Sequence, residues 1–131
     1  MREKAMFQAK SKTQKIYIVD DDGSVRKALG RLIGSERLSF ETFASGETFL
    51  ASLPPDADGC VVLDIRMPGL TGHDVLEALR SRGQKIPAIA LSAQDDEEAH
   101  RRARDLGAVA FFRKPVDDQA LLDSIRWAMR E

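Results

Sequence analysis

The chain has 131 residues, 43% of them hydrophobic and 31% charged, with 20 basic against 21 acidic side chains. That length holds one domain with a single core, without help from disulfides or structural metal, and leaves no room for a second. The formal net charge of -1 argues against both general disorder and a dominant electrostatic attraction to nucleic acid, so no direct nucleic-acid binding is expected of this chain.

Residues 1–14, MREKAMFQAKSKTQ, are polar and read as a flexible N-terminal extension, with the folded domain over 15–131. They lack the apolar centre of a signal peptide, and no run approaches the length of a membrane span, so a cytoplasmic protein with no membrane partner is expected. The first apolar run, Ile16 to Val19, predicts a strand that closes on Asp20, followed by Asp21 and Asp22. Val25, Ala28, Leu29, Leu32 and Ile33 then keep the spacing of a helix face buried against a sheet, with Gly34 as its expected stop. Leu38 to Phe43 predicts a second strand and Glu47 to Leu53 a short helix that Pro54-Pro55 ends.

The run from Cys60 to Asp64 predicts a third strand, again ending on a carboxylate. Its lone cysteine reads as a buried reduced thiol, and no disulfide can form within the chain. Val75, Leu76 and Leu79 share one stripe of a helix over Asp74 to Ser81, closed by Gly83. Ala88 to Ser92 predicts the fourth strand. The fourth helix, Asp95 to Leu106, opens on an Asp95-x-x-Glu98 capping pattern and can pair Glu97 with Arg101 and Glu98 with Arg102. Only Ala99, Ala103 and Leu106 form its apolar stripe, so it is expected to be the most easily displaced element. Val109 to Phe112 predicts a fifth strand and Asp118 to Arg130 a last helix, which buries Leu121, Leu122, Ile125 and Met129 and leaves Trp127 to the side.

Five alternations of strand and helix, with the first, third and fourth strands almost wholly apolar, imply a doubly wound α/β fold with a parallel sheet covered on both faces. In such a sheet the C-terminal strand ends share one rim, where ligands bind. That rim collects Asp20, Asp21, Asp64, Ser92 and Lys114, a set suited to metal-assisted phosphoryl transfer to a carboxylate. Mg²⁺ favours one or two protein carboxylates together with waters and phosphoryl oxygens. A lysine supplies a compact charge for a phosphoryl oxygen, and a serine hydroxyl a donor. Taken singly, each has a plainer reading: an Asp-Asp-Asp run starts many helices, a lone lysine is usually solvated and a serine ending a strand is an ordinary turn residue.

The motifs Val19-Asp20-Asp21-Asp22, Leu63-Asp64-Ile65-Arg66-Met67-Pro68-Gly69-Leu70-Thr71-Gly72, Leu91-Ser92-Ala93 and Phe112-Arg113-Lys114-Pro115 occur in that order. Together they resemble the receiver domain of two-component response regulators, from about Lys15 to Arg130, closest in character to the nitrogen-fixation-regulator type. The resemblance implies a flavodoxin-like fold, a five-stranded parallel sheet of order 2-1-3-4-5 flanked by five helices. It further implies that Asp64 accepts a phosphoryl group from a phosphohistidine of a sensor histidine kinase or phosphotransfer protein. Asp21, Asp64 and the main-chain carbonyl of Arg66 would hold Mg²⁺ directly and Asp20 through water, while Asp22 caps the first helix. Lys114, preceding a cis Pro115, and Ser92 would bind the phosphoryl oxygens. Ser92 and Phe111 would form the switch, with output through the fourth helix, fifth strand and fifth helix, including His100, Arg101, Arg104 and Trp127. Expected partners are an output protein or a separate effector domain, and a phosphorylation-dependent homodimer. A stand-alone receiver and a piece of a longer regulator read alike.

The chain departs from the family pattern at Val116, where an aromatic often follows Lys-Pro, while Arg66 and Gln94 occupy variable positions beside the site. A haloacid-dehalogenase-like phosphotransferase shares the Asp nucleophile, Mg²⁺ and lysine, but wants an acid two residues after the nucleophile, where this chain has Arg66. A nucleotide-binding module would want a glycine-rich phosphate loop after the first strand, and none follows. A receiver-like interaction domain without phosphorylation would lack the acceptor, acid or lysine. His73 and His100 are too few for a zinc site, and Ser92 has no His partner for hydrolysis. Apart from self-phosphorylation and autodephosphorylation, no enzymatic turnover is expected.

Overall fold

The computed structural model describes residues 14–93 and 97–130. Gln94 and the expected Asp95–Glu98 cap, as well as all but the last residue of the expected N-terminal extension, lie outside the described residues or depend on them. The strands are β1 (Gln14–Val19), β2 (Phe40–Phe43), β3 (Asp58–Asp64), β4 (Ala88–Ser92) and β5 (Ala110–Arg113). The helices are α1 (Gly23–Ser35), α2 (Gly46–Ser52), α3 (Gly72–Ser81), α4 (Glu97–Asp105) and α5 (Asp118–Met129). All strand pairs are parallel and the order is β2-β1-β3-β4-β5, the expected doubly wound topology.

Alternation along the strands divides the interior into two layers. Tyr17, Val19, Val61, Leu63, Ala88 and Ala90 face one side and pack with Phe49 and Leu50 of α2, Val75, Leu76 and Leu79 of α3, and Ala103 of α4. Ile16, Ile18, Cys60, Val62, Ile89 and Leu91 face the other, against Leu29 and Ile33 of α1 and Leu121 and Ile125 of α5. Burial pushes the Cys60 thiol up to about 12, so it stays protonated, as expected of a core cysteine.

Several boundaries differ from the sequence expectation, for identifiable reasons. Gln14 belongs to β1 rather than to the leader, paired with Asp58 at the start of β3. Asp58 and Gly59 therefore also precede the expected strand start. Gly59 has φ +136, and a Cβ there would lie 1.9 Å from the Lys15 carbonyl oxygen, so the close approach of β1 requires glycine.

Gly34 does not stop α1. The helix runs to Ser35, and Arg37 takes the left-handed turn at φ 62, with its N–H donating to the Gly34 carbonyl. Leu38 N–H bonds back to Ile33, which keeps Leu38 out of β2. Gly30 and Gly34 instead make room for the Phe40 ring, which a Cβ would meet at 3.0 and 3.4 Å.

At β5 the strand starts one residue late. Val109 still donates to the Ala88 carbonyl but is 45% exposed and lies before the ladder. In α4, Arg101 pairs with Glu98 at i,i+3 rather than with Glu97. Its buried residues are Ala99 and Ala103 alone, fewer than the expected stripe, because Leu106 falls just beyond the helix and is partly buried. Trp127 on α5 is 63% exposed and contributes little to the core.

Candidate functional site

The C-terminal ends of β1, β3, β4 and β5 bring Asp20, Asp21, Asp64, Ser92 and Lys114 to one rim. Asp20 follows β1 directly and its N–H donates to the Phe43 carbonyl, which extends the β1–β2 pairing by one residue. Asp64 is the last residue of β3, opposite Leu91 of β4. Ser92 ends β4 opposite Arg113, and its carbonyl accepts the Lys114 N–H at 2.7 Å. The apolar runs that form the sheet thus end in register, and the polar residue after each run is carried to the same edge.

Asp20, Asp64 and Ser92 are nearly inaccessible, whereas Asp21 is exposed. One oxygen from each of Asp20, Asp21 and Asp64 lies within 4.8 Å of the others. The three hard, anionic oxygens form a donor set that fits Mg²⁺. Lys114 Nζ donates to Asp20 Oδ2 at 2.9 Å and lies 3.4 Å from Asp64 Oδ1. Its closer partner is therefore Asp20. The other Asp20 oxygen accepts the Asp22 N–H at 2.9 Å, and Arg26 donates to the Asp20 carbonyl at 2.7 Å. Asp20 is consequently held from three sides, while Asp64 takes Lys114 at the longer 3.4 Å and accepts the Arg66 N–H.

Burial raises the Asp64 carboxyl to about 6, and the neighbouring Asp20 charge adds to the rise. Attraction to Lys114 and the Arg66 N–H donating to the carboxylate work the other way without cancelling it. For Lys114, burial alone disfavours the ammonium, but the hydrogen bond to Asp20 and the charges of Asp64 and Asp20 outweigh it and the pKa is raised. The site therefore carries more buried negative charge than Lys114 neutralises, a deficit that a divalent cation would meet.

The expected cis peptide joins Lys114 and Pro115. Asp22 caps α1 as expected. Its carboxylate accepts from the N–H groups of Ser24 and Val25 and from the Ser24 hydroxyl, which holds its pKa below the usual value. Phe111 is half-buried at the edge of the core, stacked on His100 of α4.

Sequence reasoning missed the groups that shape the 65–71 segment after Asp64. Thr71 and Asp74 form a reciprocal capping box that opens α3, readable in hindsight as a Thr-x-x-acid pattern. Glu47 of α2 accepts the Leu70 N–H at 3.2 Å, and a Cβ on Gly72 would lie 2.6 Å from the Asp64 carbonyl oxygen. Neither of these has a local sequence signal, because both depend on segments meeting in space.

The sequence profile of the family described as response regulator receiver domain matches residues 16–126. Response regulator protein TodT of Pseudomonas putida is 43% identical over 115 residues, covering 88% of this chain and 51% of that protein. Transcriptional regulatory protein FixJ of Bradyrhizobium diazoefficiens is 35% identical over 116 residues, covering 88% of this chain and 57% of that protein. The chain thus spans about half the length of the curated relatives it matches. Among solved structures, the crystal structure of FixJ-N superposes with a TM-score of 0.83 at 32% identity, covering 88% of this chain and 93% of that one. Among the described residues no helix is long and apolar enough to cross a membrane.

Proposed function

The chain belongs to the response regulator receiver domain family, and from that premise we propose that it is a phosphorylation switch whose acceptor is Asp64. The observation that carries this reading is the Asp64 carboxylate at the end of β3, 3.4 Å from Lys114 Nζ and grouped with Asp20 and Asp21 within 4.8 Å. The nucleophile is one Asp64 oxygen. It attacks the phosphorus of a phosphohistidine on a sensor histidine kinase or phosphotransfer protein; a P–O bond forms, the P–N bond breaks, and the electron pair returns to the imidazole.

Asp21, Asp64 and the Arg66 main-chain carbonyl would hold Mg²⁺, with Asp20 reaching it through water. Both Asp20 oxygens already accept hydrogen bonds, which favours that indirect role. When bound, the ion supplies charge neutralisation at the phosphoryl oxygens. Lys114 supplies a second positive charge beside Asp64, and the Ser92 hydroxyl donates to a phosphoryl oxygen. The energy of these new contacts, differing between two arrangements of Ser92, Phe111 and α4, is what shifts the population. Output would pass through α4, β5 and α5 to an effector domain or separate protein, or through a phosphorylation-dependent homodimer.

Intact mass measured after incubation with Mg²⁺ and acetyl phosphate tests the reading. One phosphoryl adduct is expected in the parent and none in Asp64→Ala. No adduct in the parent under rapid quenching, or an adduct that persists in Asp64→Ala, overturns it.

A further inference from the structure

Little apolar surface holds α4. Only Ala99 and Ala103 are buried, the Glu98–Arg101 pair is largely solvent-exposed and adds little, and a cleft of about 520 Å³ runs beneath the helix, lined by Met67, His73, Ala99 and Arg102 among others. Its C-terminal end is tied to α3 by Arg80, which donates to the Asp105 carbonyl at 3.2 Å. At the other end the chain's two histidines converge on adjacent residues of one turn. His73, buried in the first turn of α3, lies with Nε2 at 3.0 Å from the Ala99 carbonyl. A carbonyl only accepts, so Nε2 carries the proton and donates. From the opposite flank, His100 of α4 lays its ring on Phe111 of β5, with centroids 4.4 Å apart and planes at 11°.

We propose that His73 and His100 are positioning residues that pin the first turn of α4 to α3 and to β5, and so set how readily the domain leaves its resting arrangement. The proposal rests on the phosphoacceptor reading for its consequence, but the pins themselves do not. His73 supplies a directional bond at a helix with few apolar contacts, where a single hydrogen bond is a large share of what opposes local opening. His100 covers the ring of Phe111, one of the groups that differ between the two arrangements. Releasing either pin lowers the cost of moving α4 without touching Asp20, Asp21, Asp64 or Lys114. A receiver that is easier to rearrange has more of its phosphorylation-competent conformer populated, so it takes up phosphoryl faster.

Amide hydrogen exchange of the full chain, followed by mass spectrometry without Mg²⁺ or phosphodonor, tests the pins. His73→Leu and His100→Ala are each expected to speed exchange in α4 about 5-fold, as loss of one ordinary hydrogen bond or stack does. The double variant should gain at least tenfold, α1 and α5 should stay at parent rates, and His100→Phe, which keeps the stack, should restore protection. Unchanged α4 exchange in the double variant, or a rise spread evenly over all helices, overturns the proposal. Initial rates of phosphorylation by acetyl phosphate then test the coupling. A several-fold increase in the double variant at unchanged Mg²⁺ affinity supports it, and equal rates with a loosened α4 refute it. If the parent takes up no phosphoryl group at all, the phosphoacceptor reading fails, while the exchange result still decides whether the histidines pin α4.

Discussion

Replacing Asp64 with asparagine is expected to stabilise the protein at neutral pH in the absence of divalent metal, although it removes one partner of a buried ion pair. The usual outcome of such a deletion is destabilisation by about 3–5 kcal/mol, because the remaining charge is stranded. Here Lys114 keeps its shorter bond to Asp20 at 2.9 Å, so it is not stranded. What disappears is an ionised carboxylate that burial and Asp20 raise from 3.8 to about 6. At about 1.4 kcal/mol per pH unit, holding that group ionised costs about 3 kcal/mol at pH 7. An asparagine retains the shape and still accepts from the Arg66 N–H and Lys114, but it is itself a buried polar group, so a net gain of about 2 kcal/mol is expected.

The sign follows from proton counts. Between pH 4 and 6 the native Asp64 binds more proton than the unfolded one, so the parent loses stability as the pH rises through that window. Urea unfolding in chelator at pH 7.5 should therefore place the Asp64→Asn midpoint about 1 M above the parent, given ordinary m-values for a domain of this size. The difference should shrink towards zero below pH 4. A midpoint at or below that of the parent at pH 7.5, or a gap that widens in acid, would show that attraction to Lys114 outweighs burial and repulsion, and would refute the reasoning.

Lys114→Met should destabilise by about 3 kcal/mol at pH 7.5, because it leaves Asp20 and Asp64 buried together without a cation. The loss should diminish in acid as a carboxyl protonates, measured by the same urea titrations. Mg²⁺ at a hundred times its Kd should stabilise the parent by about 2.7 kcal/mol, with most of that gain lost in Asp21→Asn; thermal midpoints with and without the ion give the comparison. Gly72→Ala should cost about 1–3 kcal/mol, since its Cβ would lie 2.6 Å from the Asp64 carbonyl oxygen and displace backbone rather than a flexible side chain; it should also slow phosphorylation from acetyl phosphate by moving Asp64. Trp127→Ala should leave the free energy of unfolding within about 0.5 kcal/mol of the parent, as befits a side chain 63% exposed.

How far the site was legible depends on the range of the interaction. Asp20, Asp64 and Ser92 directly end or follow apolar runs, Asp21 and Lys114 come one residue further on, and the runs become strands that stop together, so a one-dimensional pattern was enough to place all five residues on one rim. The Asp22 cap was equally local, its bonds reaching only two and three residues ahead. The weak stripe of α4 was visible too, since counting large apolar residues at helical spacing needs no partner.

Which partner a side chain takes is a different matter. Lys114 and Asp20 are 94 positions apart, and the preference for Asp20 over Asp64 comes down to 2.9 against 3.4 Å from the Lys114 ammonium. Gly34 reads as a helix stop until Phe40 is seen to lie against it, and Gly59 as a loop until Lys15 crowds it. His73 and His100 carry no motif, and only the arrangement of α3, α4 and β5 brings His73 to the Ala99 carbonyl and His100 to the Phe111 ring. Sequence periodicity determined the elements, their order and the chemistry gathered at the rim, because burial imposes a short repeat on the chain. The tertiary structure alone decided contact distances, charge balance and what holds α4, because those arise where segments distant in sequence meet.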